Sequence, residues 1–81
     1  MKLAIIPPVS NLSASQLEIV DYQWIPNITL NVEYRFLNAD NEICSARKRA
    51  ELNPAQYAAW GSGDDSYVIR CIAENLGLTP V

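Results

Sequence analysis

The only carboxylates that stand side by side in this chain are Asp64 and Asp65. Such a pair can hold a hard cation or divide general-acid and general-base work between its members. A cation of that kind wants several more oxygens at set positions, and the EF-hand spacing is absent. Helix capping accounts for both residues without a further assumption, since carboxylates favour the positive end of a helix dipole. Ser10, Ser13, Ser15, Ser45, Ser62 and Ser66 have no histidine anywhere in the chain to activate them, and neither do Cys44 and Cys71. A Ser–Lys arrangement is conceivable, but no spacing here spells one. The two cysteines lie far apart, whereas a zinc site needs closely spaced pairs plus further ligands. A disulfide is open on sequence grounds; the expectation is two reduced, small apolar residues in or near the core. The expectation is therefore a protein that is not an enzyme, with no catalytic residues, no metal and no cofactor.

Residues suited to contact are easier to find. Tyr57 and Trp60 sit three apart on one helical face, which makes either a binding platform or the lid of a small core. Trp24 adds a second indole, and the chain holds 2 Trp and 4 Tyr in 81 residues. Interfaces favour these types. Arg47-Lys48-Arg49 is the one basic run, suited to pairing with an acidic neighbour and setting register. The net charge of −3 argues against phosphate-dominated nucleic-acid binding, which needs a basic surface. Tyr34 and Phe36 could stack bases from a strand. They share the face of Ile28, Leu30 and Val32, so core packing is the better account.

These residues are positioned by one central strand. Over 28–36, Ile28, Leu30, Val32, Tyr34 and Phe36 alternate with Thr29, Asn31, Glu33 and Arg35. That is the period of a strand with one buried and one wet face. Leu17–Ile25 is the preceding strand, and its alternation slips phase at Ile19–Val20, as a β-bulge would make it. Ile25-Pro26-Asn27 turns between the two and makes a hairpin. Asn38-Ala39-Asp40-Asn41 marks a second hairpin turn, leading into a strand over Glu42–Leu52 whose Cys44, Ala46, Lys48, Ala50 and Leu52 share a face. Leu3–Ile6 is a short strand ended by Pro7-Pro8. Downstream, Asn53 caps a helix that begins with Pro54, runs to Trp60 and ends at Gly61-Ser62-Gly63. A second helix starts at Asp64-Asp65-Ser66, carries the stripe Val68, Cys71, Ile72 and Leu76, and closes with Gly77 and Leu78 in a Schellman ending. Thr79-Pro80-Val81 reads as a tail. The fold class is α+β: an antiparallel three- to four-stranded β-meander followed by two short C-terminal helices packed on one sheet face.

A chain of 81 residues is a single small domain, 1–81, and buries only roughly 60% of its unfolded surface. A charged fraction of 19%, below the usual ~25%, is a mild sign of an interface. Met1-Lys2-Leu3-Ala4-Ile5-Ile6 starts like a signal sequence, but Pro7-Pro8 cuts the apolar run well short of the ~7–15 residues of an h-region. No stretch approaches the ~20 apolar residues of a membrane span. The expectation is a soluble protein made in the cytoplasm.

From Leu52 to Leu78 the chain reads L-N-P-A-Q-Y-A-A-W-G-S-G-D-D-S-Y-V-I-R-C-I-A-E-N-L-G-L. This resembles the C-terminal segment of small uncharacterised proteins of the structural (head and tail) gene module of tailed bacteriophages. The stretch covers about a third of the chain, and the matching positions within it are Leu52, Tyr57, Trp60, Gly61, Asp64, Asp65, Tyr67, Val68, Leu76, Gly77 and Leu78. The resemblance carries no active-site residues. It implies a virion component, such as a tail, baseplate or capsid accessory protein, present in many symmetric copies.

Two functions are thus expected. The first is a non-enzymatic structural or assembly component of a phage particle, contacting other virion proteins and copies of itself through its sheet edge and through Trp24, Arg47, Lys48, Arg49, Tyr57 and Trp60. The second is a free, phage-encoded binder or inhibitor of a host protein. No membrane, nucleic-acid or small-molecule partner is expected.

Overall fold

The computed structural model describes residues 1–60 and 65–81. Four strands, β1 (Lys2–Ala4), β2 (Gln16–Ile25), β3 (Thr29–Leu37) and β4 (Lys48–Glu51), precede two helices, α1 (Pro54–Trp60) and α2 (Asp65–Asn75). The strands pair antiparallel in chain order, β1-β2-β3-β4, with both helices on one sheet face. This is the expected α+β meander, and all four strands join one sheet.

β3 lies at its centre because its alternation buries one whole side. Leu30, Val32, Tyr34 and Phe36 are buried, while Asn31, Glu33 and Arg35 face outward and only partly covered. The stripe begins one step later than the sequence suggests. Ile28 is 69% exposed, because it falls in the hairpin turn, where its N–H bonds the Ile25 carbonyl at 3.1 Å. Asn27, at φ +63°, supplies the left-handed residue of that turn, a conformation Asn tolerates. At the other end Leu37 is buried although its parity places it on the wet face. The bulge falls where the phase slip lies: Ile19 pairs Tyr34, Asp21 pairs Glu33, and Val20 is the extra residue.

The strand expected over Glu42–Leu52 is ordered as β4 only from Lys48. Before it, Ile43 makes an isolated bridge to Leu37. The Ser45 hydroxyl accepts the Phe36 N–H at 2.8 Å, so a side chain takes the place of a ladder bond there. The Asn38–Asn41 turn forms as expected. Asn38 Oδ1 accepts the N–H groups of Asp40 and Glu42, both at 2.9 Å, and Asn41 has φ +63°.

Local signals also hold the helices in place. Asn53 Oδ1 accepts the Gln56 N–H at 2.8 Å, and Gln56 Oε1 accepts the Asn53 N–H at 3.1 Å, a reciprocal capping box. In α2, Val68, Ile69, Cys71, Ile72 and Ala73 are buried against β1 and β2, with Leu76 packed at the margin. The helix closes as expected: Leu78 N–H bonds Ala73 O at 2.8 Å, Gly77 N–H bonds Glu74 O at 3.0 Å, and Gly77 has φ +70°. The expected Gly61-Ser62-Gly63 ending and the Asp64 cap lie outside the described residues.

Thr79-Pro80-Val81 is not a loose tail. Ile6 N–H bonds Thr79 O at 2.9 Å, Val81 N–H bonds Ala4 O at 3.0 Å, and Ile5 bridges Pro80. Thr79–Val81 therefore pair with Ala4–Ile6 along the outer edge of the sheet, at the end of β1. Among the described residues no helix is long and apolar enough to cross a membrane.

Candidate contact surfaces

The β2–β3 hairpin turns at Pro26-Asn27, and its end carries the more distinctive surface. Past the bulge, Tyr22 and Trp24 point to the same sheet face as their partners Val32 and Leu30. Leu30 and Val32 are covered, yet Tyr22 is 43% and Trp24 50% exposed. With Ile28 they make an apolar end to a molecule measuring 36 × 19 × 19 Å.

Trp24 is nonetheless held in place. Its Nε1 donates to the Tyr57 hydroxyl at 2.8 Å, and the same oxygen accepts the Asn27 N–H at 3.0 Å. Its ring meets Trp60 edge-on, with centroids 5.8 Å apart and planes at 89°. Tyr57 and Trp60 are 6.1 Å apart in turn. Edge-to-face pairs of this kind add ≈ 0.5–1.5 kcal/mol beyond their burial. The exposed indole is thus seated by one hydrogen bond and one ring contact before any partner arrives.

The expected contact residues divide into two groups. Trp24, Tyr57 and Trp60 come together as one aromatic cluster. Within it Trp60 is buried, 8% exposed, and serves as the floor; its Nε1–H finds no acceptor among the described residues. Tyr57 is half-buried and acts as the clamp, and Trp24 is the accessible member. Arg47, Lys48 and Arg49 are exposed on β4 and its approach, on the far side of β3 from Trp24. Arg47 Nη1 lies 3.5 Å from Glu33 Oε1. Tyr22 and Ile28 were missed as surface residues. The signal for Ile28 was its place directly after Pro26-Asn27, within reach of the turn.

A polar sheet face lies opposite the helices. Glu18 and Arg35 form an ion pair across β2 and β3, and a shallow depression beside the bulge is lined by Asp21, Gln23, Asn31, Glu33 and Arg49. A second open groove between the helices is lined by Asn53, Gln56, Tyr67, Arg70, Cys71 and Glu74. Both cysteines are free. Burial pushes the Cys71 thiol above its ordinary range, so it stays protonated and a poor nucleophile. Tyr67 is raised first by its hydrogen bond with Cys71. Burial likewise raises Tyr34. Among the described residues no three Cys, Asp or Glu side chains gather as a metal site would require. Comparison with known protein families, with curated proteins and with solved structures finds no match to this chain.

Proposed function

We propose that this protein is a non-enzymatic contact module, a component of a tailed-phage particle that docks onto a neighbouring particle protein through the Trp24 end of its hairpin. The observation that carries the reading is the state of Trp24: half exposed, yet fixed by Tyr57 and braced by Trp60. A rigid aromatic anchor loses little conformational freedom on binding, and such residues carry a large share of interface energy. Tyr22 on the same strand face and Ile28 in the turn add apolar area around it. The resemblance over Leu52–Leu78 supplies the setting, a tail, baseplate or capsid accessory protein present in several copies. α1, which holds Tyr57 and Trp60, lies inside that stretch.

The test is mass spectrometry of purified particles from a host that carries the gene, with wild type and Trp24→Ala compared. The expected result is wild-type chain in fixed proportion to the other virion proteins, and a folded Trp24→Ala chain left in the lysate. A chain absent from particles, and captured through Trp24 by a host protein, would overturn the particle reading in favour of a free binder.

A further inference from the structure

The two outer edges of the sheet are not alike. At the end of β1 the edge is covered by Thr79–Val81, which pair with Ala4–Ile6. At β4 no further strand pairs among the described residues, and its own residues carry a pattern that complements itself. We propose that β4 pairs antiparallel with β4 of a second copy, across a two-fold axis at Ala50, to make a continuous eight-stranded sheet. The proposal rests on the reading of the protein as one that assembles with its own copies, and it names the surface and the register.

The backbone sets the first condition. Leu52 N–H donates to Leu30 O at 3.2 Å, and the register pairs Ala50 with Val32 and Lys48 with Tyr34. Hydrogen-bonded and non-hydrogen-bonded pairs alternate in an antiparallel ladder, so Lys48, Ala50 and Leu52 turn their N–H and C=O groups to β3. Arg49 and Glu51 turn theirs outward. The Glu51 carbonyl is consistent with this, since it accepts Asn75 Nδ2 of α2 at 3.3 Å. A two-fold axis normal to the sheet keeps each face on its own side, so only residues of equal parity can meet. Centred on Ala50, Arg49 lies opposite Glu51 of the second copy, and Glu51 opposite Arg49. These are the residues whose backbone groups turn away from β3, and each pair exchanges two hydrogen bonds. The carbonyl of Glu51 has a second lone pair for the arriving N–H.

Charge sets the second condition, and it selects the same register. Among the described residues, the side chains of Arg49 and Glu51 have no hydrogen-bond or ion-pair partner, whereas Arg47 is on Glu33 and Arg35 on Glu18. Pairing about Ala50 sets a guanidinium against a carboxylate twice. Moving the axis one residue, to Arg49, would set Arg49 against its own copy, and directly opposed like charges destabilise a sheet. Ala50, small and half-buried, meets its own copy at the axis without crowding. The unpaired charges also bar most other strands from this edge, which keeps the edge from pairing at random.

An edge of four residues makes a weak contact, so the dimer forms with rising concentration. Sedimentation equilibrium on the full chain is the experiment, with Arg49→Glu, Glu51→Arg and the double exchange, each checked for folding by circular dichroism. Each single variant turns two attractive pairs into repulsive ones and is expected to weaken the dimer roughly tenfold or more. The double exchange restores it, and so does mixing the two single variants, which complement one another. Ala50→Cys in a Cys44→Ser background gives an independent measure, because Cα atoms of a non-hydrogen-bonded pair lie about 4.5 Å apart, within disulfide reach. It is expected to oxidise to a linked dimer, and Lys48→Cys is not. A wild-type chain that stays monomeric up to about 1 mM, or a dimer that neither exchange alters and Ala50→Cys does not trap, would overturn the proposal. Loss of Trp24→Ala from particles with the Ala50 dimer intact, or the reverse, separates this inference from the docking reading above.

Discussion

Gln56 and Asn75 bond each other through both arms of their amides: Gln56 Nε2 to Asn75 Oδ1 at 3.0 Å, and Asn75 Nδ2 to Gln56 Oε1 at 2.9 Å. Gln56 is buried, and its Oε1 also takes the Asn53 N–H, so one side chain caps α1 and ties it to the end of α2. Asn75 reaches on to the Glu51 carbonyl of β4. This amide pair is the polar joint between the two helices and the sheet.

Removing Asn75 leaves the buried Gln56 amide short of a partner, at a cost of about 1–3 kcal/mol, whereas the exposed Asn75 can turn to water when Gln56 is removed. Gln56→Ala is the worse change because it also deletes the bond from the Asn53 N–H, one half of the capping box. Urea unfolding of Gln56→Ala, Asn75→Ala and the double variant is expected to give a coupling energy of roughly 0.5–3 kcal/mol. Simple addition of the two losses would show that the amides act separately.

Tyr57→Phe keeps the ring and deletes the oxygen that accepts from Trp24 and from Asn27. The cluster is partly exposed, so stability falls by only about 0.5–1.5 kcal/mol. The larger effect is local. Faster hydrogen exchange at the Trp24 indole N–H, measured by nuclear magnetic resonance, is the expected signature. An unchanged rate would mean that Trp60 alone seats the indole.

Leu30 and Ile28 belong to one alternating stripe in the sequence but to different environments in the fold. Leu30 is fully buried and Ile28 is 69% exposed. Leu30→Ala is expected to cost about 2–5 kcal/mol, and Ile28→Ala to lie within about ±0.5 kcal/mol. Equal losses in thermal melts would place Ile28 back in the core.

Alkaline pH should unfold the protein through its buried acids. Burial raises the Cys71 thiol above its ordinary 9.0 and the Tyr34 phenol above its ordinary 10.0. Below those values both states keep their protons and stability does not depend on these groups. Above them the unfolded chain releases protons that the folded chain still holds, so stability falls as pH rises. Urea midpoints are therefore expected to drop from about pH 9 upward, and less steeply in Cys71→Ala between pH 9 and 10. A flat profile between pH 9 and 10 would contradict the burial of Cys71, and one still flat above pH 10 that of Tyr34.

What the sequence determined by itself is what short range can decide. The bulge at Val20, the turn at Pro26-Asn27, the Asn53 cap and the Gly77 ending each depend on residues within about five positions of one another. Backbone geometry and hydrogen-bond valence there leave few choices. The inner face of β3 was legible for the same reason, because a period of two repeats along a single strand. Tertiary structure alone decided which equivalent residues went inside. Trp60 became floor and Trp24 surface, because α1 turns its own Trp60 inward onto the core and leaves half of Trp24 uncovered. Thr79–Val81 became an edge because Ala4 and Ile6, at the opposite end of the chain, still had backbone groups to satisfy. The pattern around Ala50 acquires meaning only once the register shows which way Arg49 and Glu51 turn their N–H and C=O groups. Those outcomes depend on groups distant in the chain competing for the same backbone partners and the same covered area, and no local pattern records who wins.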